Sequence, residues 1–206
     1  KMKSEDLHDE VATTTLTLKH QDGTLQEIFP EGNFRDRYLD EYTNEVLPLE
    51  HAKKGICNEL DYFLREVVEA VPISQAMADP EGKIIGTRWI TSNKGDANEP
   101  DVRCRLVAQE VAHGDTDPSF YAATPPLENK RLLFSQWATE RTRGGKALKL
   151  SFVDIVKAYF NGRPTRSLYV RLPKELGLAK GVVGKLTRCL YGTRDAGAIW
   201  EECYTS

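Results

Sequence analysis

Long apolar runs, closely spaced cysteines and low-complexity tracts are all missing from this 206-residue sequence. A bilayer span needs roughly 18 to 20 apolar residues, and no run approaches that length. The charged amino-terminal residues lead into no apolar stretch, so we expect no secretory signal. The four cysteines form no Cys-x-x-Cys pair, which argues against a zinc site or a disulfide framework. These absences favour an intracellular protein, cytoplasmic or nuclear, with reduced cysteines.

Charge is distributed unevenly along the chain. Residues 1–80 carry 8 basic and 17 acidic side chains, a net charge of -9, whereas residues 81–206 carry 20 and 14, a net charge of +6. A basic part beside an acidic extension is typical of a polyanion-binding module with an acidic leader. Alternatively, the leader covers the basic face of the same molecule. Charge alone does not separate these two interpretations.

The first half of the chain predicts a leader followed by a helix. Residues 1–50 are polar and acidic, and we interpret them as a weakly ordered leader or linker, with one small hairpin around Asp22-Gly23. Over residues 51–71, apolar side chains recur at three- and four-residue spacing, which predicts a packing helix. Pro72 is expected to end this helix, because proline has no amide hydrogen to donate.

Two extended runs, residues 83–90 and 102–108, flank a segment rich in turn-forming residues. They predict an antiparallel hairpin. Side chains alternate between the two faces of a strand, so Arg103 and Arg105 are expected to project from the same face of the second strand. On the hairpin alone, a phosphate-binding pair and a solvated edge strand are equally compatible with this pattern.

The second half of the chain predicts an alternation of helices and strands. In order, the predicted elements are a helix over 125–143, strands over 148–154, 167–172 and 182–186, and a last helix over 196–204. The first of these helices is expected to be capped by Thr124 and to end at Gly144-Gly145. Its predicted buried stripe consists of Leu133, Phe134, Trp137 and Ala138. The fold class is therefore α+β, with helices packed on a mainly antiparallel sheet. We divide the chain into residues 1–50, 51–149 and 150–206.

Asp154 is the most informative single residue. It ends the predicted strand over 148–154, and a carboxylate in such a position can bind a hard cation such as Mg²⁺. Taken alone, an aspartate at the end of a strand more often caps a turn or the next helix. The residue type by itself therefore favours the structural role.

The surrounding motifs change that balance. Residues 150–162 resemble the first palm motif of reverse transcriptases of the Ty1/copia retrotransposon class. That motif contains an aspartate, an aliphatic residue, two variable positions, alanine and an aromatic residue, often followed by Asn-Gly. Residues 86–90, 103–109 and 190–200 resemble three further blocks of the family, in the family's order. The resemblance covers about residue 51 onwards and implies the fingers and partial palm of a reverse-transcriptase-like polymerase.

The resemblance implies a role for each matching residue. Asp154 would be the first metal-binding carboxylate, with the backbone carbonyl of Ile155 as a second ligand of Mg²⁺. Tyr159 would pack against the incoming sugar and exclude a 2′-hydroxyl. Arg103 and Arg105 would contact the triphosphate, where two guanidinium groups suit several phosphate charges.

Two substitutions depart from the family's pattern. Asp195 stands where the family has a glutamine that contacts the incoming nucleotide, and Gly197 replaces a proline. An ionised carboxylate would repel phosphates and cannot donate a hydrogen bond. Asp195 is therefore carried over as a nucleotide-binding position without an assigned role.

The catalytic carboxylates are incomplete. Two-metal phosphoryl transfer needs carboxylates that hold both ions, and the family takes two of them from a Tyr-x-Asp-Asp hairpin. No Asp-Asp pair occurs in this sequence. The chain does not begin with methionine, which indicates a fragment or a processed product. Because two of the three catalytic carboxylates are missing, we expect this chain to have no polymerase activity by itself. The complete parent would use Mg²⁺, deoxynucleotides and an RNA/DNA primer–template.

Two other functions remain open at this stage. A truncated domain of this kind could serve as a non-enzymatic subunit of a larger assembly. It would then contact protein partners through the acidic leader and the apolar face of the last helix. A plain nucleic-acid-binding module is the third hypothesis, and it rests only on the positive charge and the aromatic residues of residues 81–206.

Overall fold

The computed structural model of this chain describes residues 15–96, 98–111, 126–140, 142–143 and 146–205. Its first element is the predicted hairpin, in which β1 (Leu16–Lys19) pairs antiparallel with β2 (Leu25–Ile28). At the turn between them Gly23 adopts a φ of 87°, a conformation that glycine reaches without a steric penalty. The hairpin confirms the Asp-Gly turn signal.

The described part of the acidic leader belongs to the hydrophobic core. Leu16, Leu18 and Ile28 of the hairpin are buried, as are Tyr38 and Leu47 further along the chain. The prediction of a weakly ordered leader is therefore wrong for these residues, because their apolar side chains cover the body of the fold. Residues 1–14 lie outside the described part of the chain.

The predicted helix over 51–71 consists of three different elements. α1 covers Leu49–Tyr62, one π-helical turn follows over Phe63–Val67, and β3 covers Val68–Pro72. The prediction that the helix continues to Pro72 is wrong. Val68 and Val71 are β-branched, which favours extended backbone, and the strand that they form pairs with another strand from much later in the chain. A short helix, α2 (Ile73–Ala78), follows.

The long hairpin is confirmed and forms one side of the main sheet. β4 (Lys83–Asn93) pairs antiparallel with β5 (Val102–Gln109). Cys104 and Leu106 of β5 are buried, and α1 packs closely against this strand. At Gly55 of α1, a side chain would come within 2.9 Å of the Cys104 Sγ atom, so the absence of a side chain lets the helix approach the sheet.

The next segment lies largely outside the core. It contains α3 (Leu127–Thr139), β6 (Thr142–Arg143) and β7 (Lys146–Ala147). Leu133, Phe134 and Trp137, predicted to be buried, are all exposed, and α3 has no buried residue, so this prediction is wrong. The predicted cap, Thr124, and the predicted stop, Gly144-Gly145, lie outside the described residues.

The remaining elements complete a five-stranded sheet. They are β8 (Leu168–Val170), β9 (Val182–Leu186) and α4 (Ala196–Thr205). The strand order is β3-β9-β8-β4-β5, with β4 and β8 parallel and the other neighbouring pairs antiparallel. Together with the helices, this sheet confirms the α+β class.

Two expectations from composition can be compared with the fold. No disulfide joins the four cysteines. Cys57, Cys104 and Cys189 are buried, where a reduced cysteine packs as a small apolar group, and Cys203 is exposed. Within the described ranges, no helix has both the length and the apolar character needed to cross a bilayer.

Candidate functional site

Asp154 lies on an exposed segment without regular secondary structure. Residues 148–155 form no strand in the structure, and Asp154 is exposed. The predicted strand over 148–154 is therefore wrong. Phe152 and Val153 are 72% and 82% exposed, and an apolar strand of this kind is stable only when a neighbouring strand and a covering layer bury it. The described residues supply neither.

The oxygen donors around Asp154 do not fit a two-metal centre. Among the described residues, no group of three or more histidine, cysteine, aspartate or glutamate side chains could hold a metal ion. Asp154 and the backbone carbonyl of Ile155 supply only two ligand groups, whereas Mg²⁺ takes octahedral coordination. A pair of metal ions also needs carboxylates that hold both ions. The predicted Mg²⁺ site is therefore not complete within the described residues.

A cleft of about 450 Å³ lies between α1, β5 and the residues that follow Asp154. Arg103 and Arg105 both line it, as expected from their common face of β5. Val156 and Lys157, two and three residues after Asp154, also line the cleft. The remaining lining residues are Gly55, Asn58, Glu59, Asp101, Val102, Cys104 and Tyr191. Asp154 itself is not part of the lining.

Tyr191 connects two of the predicted site residues. The Arg105 guanidinium carbon lies 5.8 Å from the centre of the Tyr191 ring, within the range of a cation–π contact. The Tyr159 ring meets Tyr191 edge-to-face, with 5.4 Å between the ring centres. Burial raises the pKa of Tyr191, because it disfavours the charged phenolate. The structure thus joins Arg105 and Tyr159 through one neutral aromatic ring.

Lys157 is held in a strained conformation at the edge of this cleft. Its φ of 54° and ψ of 40° are left-handed, which costs a residue other than glycine roughly 1 to 2 kcal/mol. Two contacts offset that cost. The Lys157 Nζ atom donates to Glu59 Oε2 at 3.1 Å and lies 3.6 Å from the centre of the Tyr62 ring.

The charge of the cleft is positive by a small margin. Three basic side chains and two carboxylates, Glu59 and Asp101, line it. Glu59 is paired with Lys157, whereas no ion pair joins Arg103 or Arg105 to another described residue. An anion can therefore bind to these two arginines without breaking an ion pair between described residues.

Asp195 lies apart from the cleft lining and has an internal partner. Its carboxylate is almost fully buried and accepts a hydrogen bond from Arg166 Nε at 3.0 Å. Arg166 also donates to both carboxylate oxygens of Glu110, at 2.9 and 3.1 Å. Asp195 thus belongs to an ion-pair network that links the end of β5 to the start of α4. A direct contact with a nucleotide would compete with Arg166.

Sequence reasoning did not assign roles to two residues that build the cleft. Tyr191 lies in a motif that was recognised, but only as part of a block. Lys157 is the single basic residue of a largely apolar segment. That isolated charge is the sequence signal that could have indicated a role for it.

No protein-family model and no solved structure matches the chain. The functional interpretation therefore depends on the sequence motifs and on the geometry of the cleft.

Proposed function

We propose that this chain is the fingers and partial palm of a retroelement reverse-transcriptase-like domain of the Ty1/copia type. The parent activity would be RNA-dependent DNA polymerisation. This chain alone is expected to be inactive as a polymerase, because it contributes only Asp154 of the catalytic carboxylates. Its own share of the function is to bind the phosphates of a nucleotide or of a primer–template in the cleft defined by Arg103, Arg105 and Tyr191.

One observation carries this proposal. Arg105, Tyr159 and Tyr191 come from three of the four sequence blocks that resemble the family, and they are far apart along the chain. In the folded chain the Tyr191 ring contacts both of the other side chains. Residues from separate motifs are not expected to meet around one aromatic ring by chance, so their contact with Tyr191 supports a common function.

The chemistry of the cleft suits a phosphate ligand. Two guanidinium groups on one strand face can donate several hydrogen bonds to phosphate oxygens. Tyr159 and Tyr191 add flat apolar surface on which a sugar or a base can pack. In the complete parent, Mg²⁺ would neutralise the charge of the transferred phosphates, and Asp154 would supply one of its ligands.

A salt titration tests phosphate binding directly. The dissociation constant of a fluorescently labelled primer–template duplex is measured by anisotropy over a range of salt concentrations. Each phosphate contact that is lost lowers the slope of log K against log salt by about 0.9. Arg103→Gln and Arg105→Gln should each weaken binding and lower this slope.

Arg65→Gln provides a matched control for these variants. Arg65 is an exposed arginine that pairs with Asp61 on the surface of the first helix and its π-helical extension, away from the cleft lining. Its replacement removes the same charge and should leave the slope unchanged. Equal slopes for all three variants, or no duplex binding at low salt, would contradict the proposal.

The non-enzymatic alternative is favoured by a different observation. Leu132, Phe134 and Trp137 of α3 are exposed together with Phe152 and Val153, and the Phe134 and Phe152 rings stack at 5.5 Å. Such exposed apolar patches are characteristic of surfaces that bind other proteins. If the chain is a subunit of a protein assembly, Phe134→Ser with Trp137→Ser should abolish its assembly in sedimentation experiments and leave duplex binding unchanged.

A further inference from the structure

Lys157 connects one turn of the cleft wall to the first helix. It directly precedes the 3-10 turn over Ala158–Asn161, and its backbone carbonyl accepts a hydrogen bond from the N–H of Phe160 at 3.0 Å. Its side chain reaches α1, where Nζ lies 3.1 Å from Glu59 Oε2 and 3.6 Å from the centre of the Tyr62 ring. One residue therefore sets both the start of the turn and its distance from α1.

The backbone conformation of Lys157 does not explain why a lysine stands there. Glycine adopts the left-handed conformation without a steric penalty, and asparagine adopts it more easily than lysine does. The motif that the segment resembles leaves this position variable, so the resemblance implies no role for it. Strained residues of this kind persist where the surrounding contacts hold them, and they are frequent at functional sites. The side-chain contacts of Lys157 are therefore the explanation for the residue type.

Phe160 transmits the position of the turn to the tyrosine at the centre of the site. It is 3% exposed and packs against Tyr62 and Tyr191, with 5.3 and 4.9 Å between the ring centres. The Lys157 Nζ atom lies 5.5 Å from the centre of the Phe160 ring. Because a packed interior has little free space, a displacement of the turn would move the Phe160 ring against both tyrosines.

The same turn carries Tyr159. The Tyr159 ring contacts Tyr191 edge-to-face, and Tyr191 in turn contacts the Arg105 guanidinium. The geometry of the turn therefore decides where both tyrosine rings lie in relation to the arginine. These rings form the flat surface that we expect a sugar or a base to pack on.

The far end of the turn is held independently of Lys157. The Cys189 N–H donates to the Gly162 carbonyl at 2.9 Å. A side chain at Gly162 would come within 2.6 Å of the Ile199 Cγ2 atom, so this glycine lets the turn lie close to α4. With that end fixed, the contacts of Lys157 decide the position of the beginning of the turn.

We propose that Lys157 is a positioning residue of the cleft. Held by Glu59 and Tyr62, it fixes the turn so that Tyr159 and Tyr191 present a preformed surface to the ligand. It acts through these tyrosines and does not itself bind the ligand. This inference rests on the proposed function, because it concerns the same cleft.

Two electrostatic roles for Lys157 predict the opposite response to a change at Glu59. If Lys157 bound a phosphate directly, or served only to neutralise Glu59, removal of the carboxylate would strengthen anion binding, because the cleft would lose a negative charge. If Lys157 positions the turn, removal of the carboxylate weakens binding, because the ammonium loses its partner. The sign of the change in affinity therefore separates positioning from direct electrostatics.

The decisive variant is Glu59→Leu, measured by anisotropy with the labelled primer–template duplex. It should bind about tenfold more weakly than wild type, with an unchanged slope of log K against log salt, because the number of phosphate contacts stays the same. Glu50→Leu is the matched control. Glu50 is exposed on the same helix and pairs with Lys53 away from the cleft lining, so its replacement should not weaken binding.

A second background distinguishes positioning from a general loss of structure. In a Tyr159→Leu chain, Glu59→Leu should have little further effect on affinity, because the side chain through which Lys157 acts is already absent. Tyr62→Leu removes the other contact of the ammonium and should show the same dependence on Tyr159. It provides the test if circular dichroism shows that Glu59→Leu is unfolded.

The outcomes for the two proposals can be told apart. Wild-type binding together with equal or tighter binding by Glu59→Leu would overturn the positioning role and leave the proposed function in place. An equal loss of affinity with and without Tyr159 would also overturn it, because that loss would not pass through the tyrosine. Absence of duplex binding by the wild-type chain at low salt would refute the proposed function and this inference with it.

Discussion

Glu110 is a carboxylate with no exposed side-chain surface, and its surroundings explain why it remains charged. Arg166 binds both of its oxygens, Lys83 donates to Oε1 at 2.9 Å, and the backbone N–H of Arg194 donates to Oε2 at 2.9 Å. Burial raises the pKa of Glu110, but these hydrogen bonds outweigh burial and lower the pKa to about 2. One buried charge thus fixes three segments that are distant in sequence.

This network predicts a pH dependence of stability. The pKa of Glu110 is lower in the folded chain than its ordinary value of 4.5, so its stabilising effect is present above pH 4.5. The effect is lost as the pH falls from 4.5 towards 2. A depression of this size corresponds to roughly 3 kcal/mol at neutral pH.

Glu110→Gln should therefore be clearly less stable than wild type in urea unfolding at pH 7. The difference should shrink steadily as the unfolding experiment is repeated at lower pH. Glu81→Gln, which replaces an exposed glutamate, serves as the control and should show no comparable change. A difference between wild type and Glu110→Gln that stays constant with pH would show that the carboxylate's charge is not what stabilises the network.

At the scale of single elements, local sequence signals decided which predictions were confirmed. The hairpin of β4 and β5 was predictable because strand alternation and turn-forming residues agree with its tertiary environment. The change from helix to strand before β3 was not predictable, because the apolar spacing of residues 67–71 fits a helix as well as a strand. Pairing of β3 with β9, a long-range contact, decides between the two.

The segment over 148–156 shows a different limit of sequence reasoning. Its apolar run correctly indicates a preference for burial, but burial requires a covering surface that the described residues do not provide. Phe152, Val153 and Val156 are exposed for this reason. An apolar pattern shows that a segment prefers burial. It does not show whether another part of the fold covers that segment.

A matched pair of valines tests this description. Val153 is 82% exposed and Val170 of β8 is fully buried. Val170→Ala should lower the free energy of unfolding by about 2 to 3 kcal/mol, because it removes buried methyl groups and leaves a cavity. Val153→Ala should change it by less than about 0.5 kcal/mol. Chemical denaturation measures both, and a large cost at Val153 would indicate a buried strand in solution.

At the scale of the whole molecule, the candidate site was partly predictable. Arg103, Arg105 and Tyr159 were found from motifs, and the fold brings Arg105 and Tyr159 to the same aromatic ring. The internal pairing of Asp195 with Arg166 was not predictable, because an ion pair across 29 residues leaves no local signal.

The amino-terminal hairpin and the sheet form one hydrophobic core, which predicts that they unfold together. Leu18 is fully buried and Leu25, in the same hairpin, is 69% exposed. Leu18→Ala should cost about 2 to 5 kcal/mol and lower the midpoint of the entire unfolding transition. Leu25→Ala, the matched control, should have little effect. Separate transitions for the hairpin and the sheet, observed by two spectroscopic probes, would contradict a common core.

The register of the sheet also has a consequence for biosynthesis. β3 pairs with β9 from Val68↔Leu186 to Pro72↔Val182, so this edge of the sheet joins segments that leave the ribosome far apart in time. Pairing over such a separation is slow, because a long loop must close before any contact forms. Until then, the valines of β3 remain exposed and can associate with other chains. Translation speed, and not only the final free energy, therefore influences how much of this chain reaches its folded state.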